Sequence, residues 1–286
     1  MLENLFRLCG MAKELSARQF YRKLRKNAIR SKKGERICSR FFGIRVEKGV
    51  YCGMRYFAFL PREVGTRKSV MYLHGSAYMN GYHIAQISFA AAIARKTQAK
   101  VYFPLYPKLP NTTVLPCLAL LNNFYAFLKK KGEVLLLGDS SGASLALSLA
   151  AEREDVSSVV AISPWLKADL GEAGRKMDGD VMISLSTLDR VAHLWAHDLP
   201  HDSVKVSPFY GEYAGKDLLL FAGEKERFRP DISDFFRKQA ERGGKVTYRE
   251  GKGQQHCYPL YPTPEGREAR REIYEKLQNT IYGEKK

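Results

Sequence analysis

The sequence has few cysteines, no internal repeat and no long apolar run. Its five cysteines include no CxxC pair and no spacing to histidine typical of a zinc site, so we predict neither disulfides nor a metal centre. The longest uncharged run, residues 109–128, contains two prolines and three asparagines, which are unusual in a membrane span. An N-terminus with Glu3 and Arg7 but no small-residue cleavage site is untypical of a signal peptide. These absences predict a soluble, cytoplasmic protein.

Acidic residues are scarce relative to basic ones. The chain has 30 Asp and Glu against 47 Lys and Arg, a net charge of +17, and residues 13–48 alone hold 13 basic and three acidic residues. A basic excess favours anionic partners, but no nucleic-acid recognition motif accompanies it, so we expect no nucleic-acid binding. The amphipathic basic helix expected here, with Phe20 and Leu24 on its apolar side, is a candidate for weak contact with anionic membranes. A homodimer is left open.

Short apolar runs of strand length alternate with helical patterns over most of the chain. Continuous apolar strands belong in a parallel sheet that is covered by helices on both faces, so the pattern predicts an α/β fold with a doubly wound, mostly parallel sheet. We expect residues 1–50 to form a basic helical segment and residues 51–286 to form the α/β domain, with a helix-rich insert at about 171–208. The predicted strands include residues 69–73, 100–103, 133–137, 157–162 and 217–221.

The strongest local motif is G-x-S-x-G at residues 138–142. It directly follows the predicted strand 133–137 and precedes a helix-compatible run. A serine on such a sharp strand-to-helix turn needs small neighbours, and it points its hydroxyl out at the carboxyl edge of the sheet. We therefore interpret Ser140 as a nucleophile; the alternative is a glycine-rich turn without chemistry.

A serine nucleophile requires a histidine base and an orienting carboxylate, here expected in the chain order Ser, acid, His. Of the six histidines, only His256 follows the last predicted strand, which makes it the candidate base. The acid is expected just after strand 217–221, where Glu226 is our choice and Glu224 and Asp231 are the alternatives. A loop rich in Glu and Lys is most often only solvated surface. The position of Glu226 after the strand, and not the charge of the loop, therefore supports this choice.

Acyl transfer also needs donors for a developing oxyanion. The residues His74, Gly75, Ser76 and Ala77 follow the strand 69–73, where small side chains let backbone N–H groups approach a substrate oxygen. We predict that the N–H groups of Ser76, Ala77 and Ser141 are the donors, with His74 and Gly75 in support.

Together these residues resemble the hormone-sensitive-lipase branch of the α/β-hydrolase esterases, a group of bacterial carboxylesterases and acetyl esterases. Residues 74–77 are similar to its HGGG loop, 138–142 to its GDSAG elbow and 223–226 to its G-x-x-D acid loop. The resemblance runs from about Val70 to the C-terminus. It implies an α/β-hydrolase fold with an eight-stranded, mostly parallel sheet, helices on both faces, a helical cap made from the N-terminal helices and the insert, and a pocket between cap and sheet.

The chain departs from the pattern of that family at several positions. Ser76 and Ala77 replace two glycines, which narrows the backbone freedom of the oxyanion loop. Ser141 replaces an alanine, which we expect to be harmless because only its N–H is needed. Glu226 replaces the usual aspartate and must reach His256 with one extra methylene. None of these changes removes a reacting group.

The leading hypothesis is a serine esterase or lipase. It would cleave short to medium acyl esters of small molecules through a Ser-His-Glu triad and an acyl-enzyme, with no metal or organic cofactor. Tyr78 and Trp165 are candidate walls of its substrate pocket, although aromatic residues at such positions are more often simply core. The alternative hypothesis is a non-catalytic ligand-binding or anionic-membrane-surface protein on a hydrolase scaffold.

Overall fold

The computed structural model describes residues 14–32, 40–41 and 43–283, and its central feature is one sheet that has nine strands within these ranges. The strands are β1 (Arg40–Phe41), β2 (Ile44–Tyr51), β3 (Met54–Leu60), β4 (Ser69–Leu73), β5 (Lys100–Pro104), β6 (Val134–Asp139), β7 (Ser158–Ile162), β8 (Asp217–Gly223) and β9 (Lys245–Gly251). Their order across the sheet is β1-β2-β3-β5-β4-β6-β7-β8-β9. Strands β4 to β9 are parallel to one another, and β1 to β3 form an antiparallel edge.

This sheet confirms the predicted α/β class and its mostly parallel arrangement. Eight strands, β2 to β9, form its body, and the two-residue β1 adds a short ninth strand at the edge. The division expected at residue 50 falls inside β2, because residues 44–51 pair with β3 along their whole length. In β2 only Ile44 and Val46 are buried, between exposed charged residues. A strand near the edge of a sheet with one face exposed to solvent lacks the continuous apolar run that predicted the other strands.

Eight α-helices are described, and five of them cover the sheet. They are α1 (Ala17–Lys32), α2 (Ile84–Thr97), α3 (Val114–Lys129), α4 (Ser141–Glu152), α5 (Glu172–Arg175), α6 (Leu185–Ala196), α7 (Arg229–Glu241) and α8 (Pro264–Tyr282). Helices α2 and α8 contribute to the core on one face, and α3, α4 and α7 to the core on the other. Along β6, Leu136 enters one core while Leu135 and Leu137 enter the other, so the strand is apolar on both sides. None of the helices in the described ranges is both long and apolar enough to cross a membrane.

The remaining helices, α1, α5 and α6, belong to the two segments expected to form a cap. The carboxylate of Glu14 accepts hydrogen bonds from the N–H groups of Leu185 (3.0 Å) and Ser186 (3.1 Å), at the start of α6. The side chain of Arg190 donates to the carbonyl of Leu15 at 2.6 Å. An acidic group at a helix N-terminus satisfies free N–H groups and opposes the positive end of the helix dipole. The N-terminal segment and the 171–208 insert are thereby joined through α6.

Candidate active site

Ser140 lies on the sharp turn between β6 and α4, at the carboxyl edge of the sheet. Its backbone is strained, with φ +52° and ψ −128°, and its N–H donates to the carbonyl of Ile162 on β7 at 2.8 Å. The turn is close-packed: a Cβ added to Gly142 would lie 2.1 Å from the carbonyl oxygen of Leu73, and one added to Gly138 would lie 2.5 Å from that of Gly142. The small residues of the G-x-S-x-G motif are therefore required by sterics.

His256 and Glu226 meet Ser140 in a continuous hydrogen-bonded chain. The Nε2 atom of His256 lies 2.9 Å from Oγ of Ser140, and its Nδ1 atom lies 2.9 Å from Oε2 of Glu226. Glu226 follows β8 and is fully buried, and His256 follows β9 and is 7% exposed. Because β6, β8 and β9 are parallel, their carboxyl ends meet at one edge and bring together residues up to 116 positions apart.

The other two candidate acids have different partners. The carboxylate of Glu224 accepts from the N–H of Gly253 at 2.6 Å. Asp231 forms an ion pair with Lys167 at 2.7 Å and accepts from the N–H of Gly171 at 3.1 Å. Of the three carboxylates, Glu226 is the one in contact with His256, and the extra methylene relative to aspartate spans the gap.

Burial and charge act in opposite directions on this pair. Burial raises the pKa of Glu226, while its contact with His256 opposes that rise. Burial lowers the pKa of His256, but the contact with the Glu226 carboxylate opposes this effect, and the pKa of His256 lies well above its ordinary range. Burial also raises the pKa of the Cys257 thiol to about 11, so the thiol is neutral at neutral pH. Glu226 is therefore the group whose charge stabilises a protonated His256.

The 74–78 loop packs directly against the serine turn. A Cβ added to Gly75 would lie 2.4 Å from the Asp139 carboxylate and 2.8 Å from Cβ of Ser140. The ring of His74 stacks between Phe103 (centroids 5.2 Å apart) and Tyr106 (4.7 Å), and burial holds the pKa of His74 well below its ordinary range. His74 is thus a neutral, packed ring that supports the loop and does not face Ser140 as a base.

The backbone N–H groups near the predicted oxyanion site differ in their hydrogen bonds. The N–H of Ser76 donates to Oγ of Ser141 at 3.0 Å, and the N–H of Tyr78 approaches the same oxygen at 3.4 Å. Ala77 and Tyr78 both have positive φ, +49° and +52°, which costs about 1–3 kcal/mol for each residue that is not glycine. The expectation that the Ser141 side chain has no effect is not consistent with this geometry, because its hydroxyl contacts the loop directly.

A column of stacked aromatic rings lines one side of the site. Tyr78 stacks on Trp195 (centroids 4.2 Å apart, planes within 5°) and on Trp165 (5.6 Å), Trp165 stacks on Phe228 (5.9 Å), and Phe228 contacts the ring of His256 (5.3 Å). All five rings are at least nine-tenths buried. The candidate pocket residues Tyr78 and Trp165 thus form part of this column. The sequence did not indicate Phe228 as a further member.

Asp180 is a further residue at the site that the sequence reasoning missed. Its buried carboxylate accepts from the N–H groups of Met182 (2.7 Å), Ile183 (2.9 Å) and Arg227 (2.9 Å), the last adjacent to Glu226. The bonds to residues two and three positions ahead are a local turn of the kind that Asp favours, so the turn could have been suspected from the sequence. Its hydrogen bond with the N–H of Arg227, 47 residues away, could not have been predicted from the sequence.

Comparisons with known proteins identify the family of the chain. Residues 70–260 match the family model for the alpha/beta hydrolase fold, so the chain belongs to that family. The chain is 24% identical to an esterase of Acinetobacter venetianus over 231 residues, 76% of each chain. It is 26% identical to an acetyl-hydrolase of Streptomyces hygroscopicus over 218 residues, 71% of this chain and 72% of that one.

Solved structures share the same fold over nearly the whole chain. A candidate esterase from Staphylococcus aureus aligns with a TM-score of 0.87 and 23% identity, covering 96% of this chain and 97% of that one. An esterase from the bacterial hormone-sensitive lipase family aligns with a TM-score of 0.78 and 18% identity, covering 94% and 100%. The family match confirms the resemblance to the α/β hydrolases, and these alignments confirm the fold.

Proposed function

We propose that this protein is a carboxylic ester hydrolase in which Ser140 is the nucleophile, His256 the general base and Glu226 the orienting acid. The observation that carries the proposal is the chain of two 2.9 Å contacts from Ser140 Oγ through the imidazole to Glu226. A serine hydroxyl at its ordinary pKa is a weak nucleophile, and a histidine within hydrogen-bonding distance activates it. The names of the relatives, esterase and acetyl-hydrolase, support an ester as the substrate.

The geometry supports a two-step acyl transfer. His256 Nε2 takes the proton of Ser140 as Oγ attacks the ester carbonyl, and it then gives this proton to the leaving alcohol oxygen. Water then attacks the acyl carbonyl while His256 Nε2 takes its proton, and His256 returns this proton to Oγ of Ser140 as the bond to the acyl group breaks and the carboxylic acid leaves. Glu226 accepts a hydrogen bond from Nδ1–H of His256 throughout, which leaves Nε2 free to accept from Ser140, and its charge offsets that of the imidazolium. Neither step requires a cofactor.

We further propose that the segments containing α1 and the 171–208 insert form a cap over this edge of the sheet. The side chain of Asn27 on α1 donates to the carbonyl of Met79 at 3.1 Å, directly after the 74–78 loop. The side chain of Gln255 beside the candidate base contacts the N–H of Val181 (3.2 Å) and the carbonyl of Gly179 (2.9 Å) in the insert. Membrane contact through the basic face of α1 and a homodimer stay predictions from the sequence.

The buried aromatic column is proposed to limit the acyl group to short chains. It runs from the 74–78 loop to His256, so it occupies the volume beside an acyl group bound to Ser140. We expect Trp195→Leu to raise the ratio of kcat/KM for p-nitrophenyl octanoate over p-nitrophenyl acetate by about tenfold, since one buried methylene is worth roughly 1 kcal/mol or more.

A matched control separates pocket size from general loss of packing. Tyr213 is as deeply buried and contacts Phe235 at 5.3 Å, outside the column. Tyr213→Leu should lower the free energy of unfolding to a similar extent without changing the ratio. An unchanged ratio in Trp195→Leu, or an equal change in both variants, would contradict this placement of the acyl group.

Covalent labelling tests the proposed function directly. Incubation with an aryl phosphonate ester, which mimics the tetrahedral intermediate, is expected to add one phosphonyl group per chain, with peptide mass mapping locating it on Ser140. The same preparation should hydrolyse p-nitrophenyl acetate or butyrate. A folded protein that is not labelled and turns over none of several acyl lengths between neutral and alkaline pH would refute the proposal.

A further inference from the structure

The hydroxyl of Ser141 is hydrogen-bonded to the 74–78 loop rather than to its own helix. Its Oγ accepts from the N–H of Ser76 at 3.0 Å and lies 3.4 Å from the N–H of Tyr78, and the residue is fully buried. These two N–H groups flank Ala77 on either side. One side-chain oxygen thus contacts both peptides that border the backbone of Ala77.

The loop needs such a restraint because of its own sequence. Ala77 and Tyr78 have positive φ, a conformation that glycine adopts freely and that other residues adopt only where the surroundings hold them. Other contacts restrain the carbonyl groups of the loop: Gln86 donates to the carbonyl of Gly75 at 3.0 Å, and the N–H of Asn80 to that of Ser76 at 2.9 Å. The N–H side of the loop is restrained by Ser141.

We propose that the Ser141 hydroxyl is a positioning group that compensates for the absence of glycine at 77 by orienting the N–H of Ala77 toward the substrate oxyanion. This inference rests on the proposed ester hydrolysis. Within the ranges that the structure describes, the N–H of Ala77 has no hydrogen-bond partner, so it remains available to a ligand. The N–H of Ser76 is engaged by Ser141, which leaves the N–H groups of Ala77 and Ser141 as the oxyanion donors.

The first test is Ser141→Ala. We expect kcat for p-nitrophenyl acetate to fall by about tenfold to a hundredfold with little change in KM, because misdirected donors stabilise the transition state less while the ester still binds. Affinity for a boronic acid, which forms an anionic adduct with serine, should fall in parallel. Ser148→Ala is the matched control, since Ser148 is buried on the same helix and donates to the carbonyl of Val204, away from the loop.

The second test is a double-mutant cycle with the loop. In an Ala77→Gly background, where residue 77 adopts positive φ without strain, Ser141→Ala should cost less than about threefold. A role limited to folding would instead lower the melting temperature and cost the same in both backgrounds. Equal losses in the two backgrounds, or a Ser141→Ala enzyme within twofold of the parent, would overturn the inference.

These outcomes are distinct from failure of the proposed function. If the unmodified chain neither hydrolyses esters nor reacts with the phosphonate, the assignment of the triad is wrong. If the unmodified chain is active and labelled but Ser141→Ala is equally active, only the role of the Ser141 hydroxyl is wrong.

Discussion

Replacing Ser140 with alanine is expected to lower kcat for p-nitrophenyl acetate by at least about 10⁴-fold, and His256→Ala should do the same. The reason is geometric: Oγ of Ser140 and Nε2 of His256 are 2.9 Å apart, so nucleophile and base act as one unit. The double variant should therefore lose no more activity than either single variant. Initial rates corrected for spontaneous hydrolysis, with each protein at the same concentration, measure this loss.

The control for Ser140→Ala is again Ser148→Ala. It makes the same chemical change within α4, the helix that follows Ser140, and it should retain activity within about threefold. Losses that add in the double variant, or a Ser140→Ala protein with more than about 1% of the original kcat, would show that another residue is the nucleophile.

The chemistry-bearing motifs could be predicted because each is local or fixed by chain order. Glycines at 138 and 142 are dictated by contacts of 2.5 Å or less that any side chain would create, so the motif at Ser140 is readable from five consecutive residues. His256 could be chosen as the candidate base because the parallel sheet places the carboxyl ends of its strands at one edge, and the loop after the last strand must reach that edge.

Features that depend on side-chain direction could not be predicted. The sequence places Ser141 beside the nucleophile, but only the helix geometry directs its hydroxyl at the N–H groups of Ser76 and Tyr78. Likewise, Glu224 and Glu226 are equivalent by composition, and the turn after β8 decides which carboxylate faces the imidazole and which faces Gly253. The choice of Glu226 from the sequence rested on its position in the loop, and only the folded structure shows which carboxylate contacts His256.

Glu226→Gln is expected to lower kcat/KM by about 10³- to 10⁴-fold at neutral pH. Oε2 of Glu226 accepts from Nδ1 of His256 at 2.9 Å, whereas a glutamine amide can donate there and favour the tautomer whose Nε2 carries a proton. That tautomer cannot accept from Ser140. Glu224→Gln is the matched control: it makes the same change two residues away, on a carboxylate bonded to Gly253, and should retain activity within a fewfold.

The pH profile gives a second, independent readout of the same interaction. In the unmodified protein kcat/KM should rise with pH as His256 loses its proton, with a midpoint above the ordinary imidazole value of about 6.5, because Glu226 stabilises the charged form. Protonation of Glu226, whose pKa is raised by burial, reinforces the loss of activity on the acid side. In Glu226→Gln the stabilising charge is gone, so the midpoint of the residual activity should move to lower pH. A midpoint that stays in place, or moves upward, would mean that a different group sets the pKa of His256.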